Sequence, residues 1–114
     1  MYKYAKYWKF DPAIMFYYVY VLQSIKHLEK LYVGSTRDLR KRIAKHNRGI
    51  NFSTRLYALW RIIFYEAYLF KEDALRREKY LKTSKGSKVI KNMLKEYFYH
   101  TTKMTSGRKI KSNF

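Results

Sequence analysis

The chain has 114 residues, 47% of them hydrophobic and 19% aromatic, so it forms one small domain with a modest core and is not disordered despite its 30% charged content. It has no cysteine, which removes disulfide frameworks, thiolate zinc sites and cysteine nucleophiles together and is compatible with a reducing, cytoplasmic setting. The net charge of +18 favours polyanionic partners, nucleic acid ahead of anionic membrane, and excludes an acidic scaffold.

That charge divides as +2 over residues 1–15, +9 over 16–83 and +7 over 84–114, so the folded part is itself basic. Residues 1–15 alternate aromatics with lysine and end near Asp11-Pro12, and read as an N-terminal extension. The longest apolar run, Ala13 to Leu22, is too short to cross a bilayer, and no small-residue cleavage site follows it. No membrane segment is expected.

Phe16 to Leu22 is made only of aromatic, β-branched and leucine residues, the composition of a buried strand. A polar connector leads to a second run, Leu31-Tyr32-Val33, closed by Gly34, and the pair predicts a hairpin with a long loop. Ser35 and Thr36 offer N-caps for a helix continuing through Arg48, with Gly49 as its C-cap. Within that helix Leu39, Arg42, Ile43 and His46 fall at i, i+3, i+4 and i+7, one helix face. Arg42 and His46 therefore point toward the sheet or the rim of a cleft. The rival reading is a solvated face.

Asn47 to Arg55 is polar, and Ser53 and Thr54 read as ordinary loop residues. Leu59 to Phe70 predicts a third strand broken near Glu66-Ala67. A second helix follows from Glu72 to Lys82, with acidic residues favoured at its N-terminus by the helix dipole. Glu78 sits among Ala74, Leu75 and Leu81 on the apolar face, where a carboxylate is costly unless paired or bound to a metal. Its pairing candidates are Arg42 and Lys82, the latter at i+4. Thr83 to Lys88 reads as a polar connector, and Val89 to Phe98 as a third helix. Residues 99–114 read as a basic, flexible tail without periodicity.

The series Tyr18-Val19-Tyr20, Tyr32-Val33-Gly34, Arg42 ten residues after Tyr32, and Glu78 on a later helix resembles the GIY-YIG endonuclease family over Phe16 to Phe98. It is most similar to the small single-domain members and to the nuclease domain of the bacterial excision-repair endonuclease subunit. The sequence departs from the pattern at Tyr18, where the motif has glycine, and at Val19, where it has isoleucine. The repair-type lysine after the YIG triplet is replaced here by Ser35, and its asparagine beyond the glutamate has only Asn92 as a loose counterpart.

The resemblance implies an α/β domain over residues 16–98, a small, mainly antiparallel three-stranded sheet flanked by three helices. It implies metal-dependent hydrolysis of DNA phosphodiester bonds, on structured or damaged DNA. In that reading Tyr20, Tyr32, Arg42, His46 and Glu78 are catalytic, and Glu78 binds Mg2+ or Mn2+. One carboxylate suits such a hard cation, which keeps several waters and takes its other oxygens from substrate phosphate. Either Tyr20 or Tyr32 prepares the attacking water, and Arg42 neutralises the phosphate. Lys41, Lys45, Arg48, Arg55, Lys82 and Lys88 are the expected nucleic-acid contacts. The rival functions are a binding module of the same fold that does not cut, and an RNA-binding role. A monomer or homodimer is expected, with specificity from loops, tails or a protein partner.

Overall fold

The computed structural model describes residues 14–107, with side chains described through Thr101. The extension up to residue 13 and the tail from residue 108 lie outside the described residues.

The run from Tyr17 to Ser24 is the central strand, β1, and its lack of polar alternation has a direct cause. It is covered on both faces, so Val19, Tyr20, Val21 and Leu22 are all fully buried. β2 (Leu31–Thr36) and β3 (Trp60–Tyr68) flank it, giving one antiparallel sheet in the order β2-β1-β3. Side chains alternate in direction along β1. Val19 and Val21 go to one core with Val33, Ala74, Leu81 and Ile90, whereas Tyr20 and Leu22 go to the other with Trp60, Leu39 and Ile43.

Among the described residues four α-helices complete the fold, α1 (Leu39–Asn47), α2 (Lys71–Leu81), α3 (Ser84–Met93) and α4 (Lys95–Gly107), with a short 3-10 turn at Arg55–Tyr57. α1 covers the Tyr20 face, and α2 and α3 cover the Val19 face. The α/β architecture and the hairpin are as expected. Among the described residues the α-helices number four, where three were expected.

The differences have local causes. Ser35 and Thr36 end β2, and the cap of α1 is Asp38, whose carboxylate accepts from the Lys41 N–H at 3.1 Å. Gly49 lies one residue past the C-cap with φ +75°, the left-handed geometry that closes a helix. β3 runs unbroken past Glu66-Ala67; its irregularity lies opposite Val21/Leu22, where a bulge turns both Ile63 and Phe64 toward the Val19 core. Glu66 is also held in place, by a double hydrogen bond from Arg77 of α2 at 2.9 and 3.0 Å.

The supposed connector from Thr83 to Lys88 is the first part of α3. Thr83 caps it, accepting from the Gly86 N–H at 3.0 Å. A Cβ at Gly86 would lie 2.1 Å from the Tyr80 carbonyl oxygen, so glycine lets α3 fold tightly against the end of α2. The helix expected over Val89–Phe98 is interrupted at Leu94, and α4 then continues through Gly107, past the point where the sequence loses its periodicity. Tyr97 of α4 donates to the buried Gln23 side chain and ties this helix to the far end of β1.

Candidate active site

Strand register brings the polar residues together. Tyr20 lies opposite Gly34, and Leu22 lies opposite Tyr32, so Tyr20, Tyr32 and Gly34 share the α1 face. A Cβ at Gly34 would fall 2.4 Å from the Tyr20 hydroxyl oxygen and 3.0 Å from the Tyr32 ring. The glycine of the Tyr32-Val33-Gly34 triplet is thus the floor over which the Tyr20 phenol crosses. Any larger residue there would displace it.

From α1, His46 enters the same core and is fully buried. Its Nε2 lies 3.0 Å from the Tyr20 hydroxyl, and its Nδ1 lies 2.7 Å from Thr54 Oγ1 and 3.3 Å from Asn51 Nδ2. The Thr54 backbone carbonyl in turn accepts from the Trp60 indole N–H at 2.8 Å. Burial, reinforced by the Arg42 charge, pushes the His46 pKa below its ordinary value, so the ring is neutral at pH 7. A neutral imidazole bonded at both nitrogens passes one hydrogen-bond chain from Tyr20 to the loop in either tautomer.

The two tyrosines differ. The Tyr20 pKa is pushed up to about 12, first by burial and then by the neighbouring Tyr32, and the charge and hydrogen bonding of Arg42 offset only part of this. Tyr20 is a phenol at neutral pH. Tyr32 is only half-buried, its ring 4.9 Å from His46 and 6.4 Å from Tyr20. Among the described residues none hydrogen-bonds its hydroxyl. The Lys82 ammonium stands 5.8 Å from its ring centroid.

Glu78 reaches this cluster around the outer edge of β2. Ser35, opposite Val19, faces α2, and its hydroxyl donates to Glu78 Oε1 at 2.6 Å. Lys82 donates to Oε2 at 2.9 Å, the i+4 pairing. The residue standing where the repair-type motif has lysine thus contacts the carboxylate itself. Beside this edge a groove of about 420 Å³ separates α1 from the start of α2, lined by Arg42, Ser35, Arg37, Lys41, Lys45 and Lys71 among others.

The sequence-predicted site residues Tyr20, Tyr32, Arg42, His46 and Glu78 therefore meet around one sheet edge. Lys41 and Lys45 line the groove, and Lys82 sits on Glu78. Arg48 and Arg55 lie instead at the far end of α1 and in the loop after it, and Lys88 is an exposed residue of α3 outside the groove. The reading of Thr54 as an ordinary loop residue is corrected, since it is fully buried on His46. Asn51, Arg37 and Lys71 were also not anticipated. Nothing periodic marks the stretch from Asn47 to Leu59, so only tertiary contact reveals the roles of Asn51 and Thr54. Tyr18 keeps its place in β1, paired with Thr36 and Ala67, its ring edge-on to Tyr65 at 5.7 Å.

Residues 16–93 match the GIY-YIG catalytic domain. This chain belongs to the GIY-YIG family, a family of nucleases. A UPF0213 protein of Streptococcus pyogenes serotype M3 is 38% identical over 69 residues, 60% of this chain and 73% of that one. A UPF0213 protein of Staphylococcus saprophyticus is 32% identical over 76 residues, 66% of this chain and 90% of that one. Membership of the GIY-YIG family implies a nucleic-acid substrate, and no described helix is long and apolar enough to cross a membrane.

GIY-YIG nucleases in general depend on a divalent metal ion. Among the described residues no group of three or more His, Cys, Asp or Glu could hold one, which rules out a cage built wholly from such side chains there. The donor set does fit a water-rich hard cation: one carboxylate, Glu78, about four-fifths buried, with the Ser35 hydroxyl against it. Lys82 is half-exposed, so its ion pair with Glu78 is weakly held and open to exchange.

Proposed function

We propose that this chain is an endonuclease hydrolysing DNA phosphodiester bonds, with Glu78 holding Mg2+ or Mn2+ and Tyr32 accepting the proton of the attacking water. The observation that carries this is the meeting of Tyr32 and Glu78 at Lys82, which bonds to the Glu78 carboxylate at 2.9 Å and stands 5.8 Å from the Tyr32 ring centroid, with Arg42 acting on the adjoining Tyr20. When bound, the cation would supply Lewis-acid stabilisation of the scissile phosphate.

The residues divide the remaining work by their environments. Tyr32 is only half-buried and its hydroxyl has no hydrogen-bond partner among the described residues, whereas Tyr20 is buried, bonded to His46 and held as a phenol. Tyr32 is therefore the base, and Tyr20 with His46 and Thr54 is the positioning chain behind it. Water attacks phosphorus while its proton passes to Tyr32 acting in its phenolate form, the bond to the 3′-oxygen breaks, and that oxygen takes a proton from solvent, leaving a 5′-phosphate and a 3′-hydroxyl. Arg42, a permanently charged fork, neutralises the non-bridging oxygens as negative charge builds. Lys82, released from Glu78, supplies a further cation beside the phosphate.

The groove cations Lys41, Lys45, Arg37 and Lys71 hold the flanking backbone, so binding falls steeply with salt. The test is cleavage of labelled DNA by the wild type and by Tyr32→Phe. Metal-dependent cutting lost in Tyr32→Phe, with binding kept, supports the reading. Tight binding without cutting under any divalent metal makes the chain a binding module instead.

A further inference from the structure

The loop after α1 combines two features that do not normally go together. Its base is fixed: Thr54 and Asn51 bond to His46, Ile50 N–H donates to the Lys45 carbonyl at 3.2 Å, and Trp60 closes on Thr54. Its tip is apolar and open, with Phe52 79% and Leu56 78% exposed. Ordinary apolar side chains on a rigid loop would turn inward. These do not; the buried Thr54 and Trp60 form the inner side of this stretch instead.

The surroundings say what covers them. Between Leu39 and Tyr65 the chain carries seven Lys or Arg residues and no Asp or Glu. Lys41, Lys45 and Arg48 are exposed at i, i+4 and i+7 on α1, a basic stripe about 10 Å long at 1.5 Å per residue. It leads from the groove beside Arg42 to the loop, where the Arg55 guanidinium lies 4.7 Å from the Phe52 ring centroid. A rigid aromatic with a guanidinium against it, at the end of a cationic track, matches a site for nucleobases. A protein partner with an apolar patch alone would have to bury this unbalanced positive charge.

We propose that Phe52 and Leu56 form a base-stacking platform for unpaired DNA, with Arg48 and Arg55 on the adjoining phosphates. It rests on the cleavage site proposed above for its position along the strand. Bases within an intact duplex are stacked on one another and offer no open face, so the platform selects single-stranded or locally unpaired substrate.

The experiment measures binding in EDTA, where cleavage plays no part, so its outcome is separable from that of the nuclease reading. Single-stranded and fully paired oligonucleotides carrying 2-aminopurine are titrated with the full chain, with Phe52→Ala, and with Phe52→Tyr. Expected are preferential binding of the single strand, a change in 2-aminopurine fluorescence on binding, and a loss of about tenfold in single-strand affinity for Phe52→Ala with paired DNA unaffected. Phe52→Tyr restores both signals, and Leu56→Ser gives a smaller loss of the same kind. Because both side chains are exposed, the melting temperature stays unchanged. Equal losses on both DNAs, or unchanged single-strand binding and fluorescence in Phe52→Ala, overturn the proposal. So does a dimer that Phe52→Ala dissociates while DNA binding is unaltered, which would make the patch a contact between copies.

Discussion

The two faces of β1 are built from alternate residues of one short strand, yet they do different work. On the Val19 face the core partners are the apolar Val33, Leu81 and Ile90, with polar ties only at its margins. On the Tyr20 face the same strand meets a hydrogen-bonded chain through His46 and Thr54, with half-buried Tyr32 beside it. The difference teaches that burial depth divides similar side chains into roles. Tyr20 and Tyr32 are chemically the same, and only their positions relative to α1 and the sheet edge set them apart. Glu78 belongs by its helix to the apolar face and reaches the other around β2, so the site needs both faces in register.

The comparison can be broken from either side. Tyr32→Phe should lower cleavage by about 10²–10⁴-fold, the range for loss of a general base, with unfolding free energy nearly unchanged. Single-turnover rates and a chemical melt on the same preparation check this. Leu81→Ala, on the apolar face, should cost about 2–5 kcal/mol of stability while the molecules that remain folded cut at the normal rate. A stable but inactive Leu81→Ala would show that the two faces are not separable in this way.

Tyr20→Phe removes the hydroxyl facing His46 Nε2 and leaves that buried nitrogen unpaired, which costs about 1–3 kcal/mol. Its cleavage loss should be smaller than that of Tyr32→Phe, the reverse order being evidence that Tyr20 is the base. A pH series sharpens the same face. His46 titrates below its ordinary value in the folded chain, so on acidification the unfolded state takes up the proton first. Its contribution is full above the unfolded value of about 6.5 and is lost as the pH falls toward the folded value. Denaturant melts should show this slope, and His46→Gln should flatten it. The smallest effect is that of Lys82→Ala, whose half-exposed pair with Glu78 is worth at most about 1 kcal/mol.

How much was legible beforehand follows the same division. The strand Phe16 to Leu22 announced its two-sided burial through composition, and Arg42 and His46 announced theirs through helical spacing with Leu39 and Ile43. Glu78 was conspicuous as a carboxylate on an apolar face. Thr54 and Asn51 gave no such signal, because a loop without periodicity reveals its inward residues only when the fold brings His46 to them. The boundary errors were chemical: Asp38 out-competed Ser35 and Thr36 as a cap because β2 had already used them. The Thr83–Lys88 stretch looked like a connector because Gly86 reads as a breaker, when its missing side chain is what admits α3 against α2. The interruption at Leu94 left no mark in an otherwise continuous apolar pattern.

The account stands on Glu78 serving hydrolysis and not merely the fold. The direct measurement is cleavage of labelled branched, single-stranded and duplex DNA by the wild type and Glu78→Gln, in magnesium, manganese and EDTA, with binding and melting followed on the same samples. The account predicts cutting only with a divalent metal, a loss of at least about a thousandfold in Glu78→Gln, and DNA binding and melting nearly unchanged. Wild-type rates in Glu78→Gln, or cutting undiminished in EDTA, would contradict it.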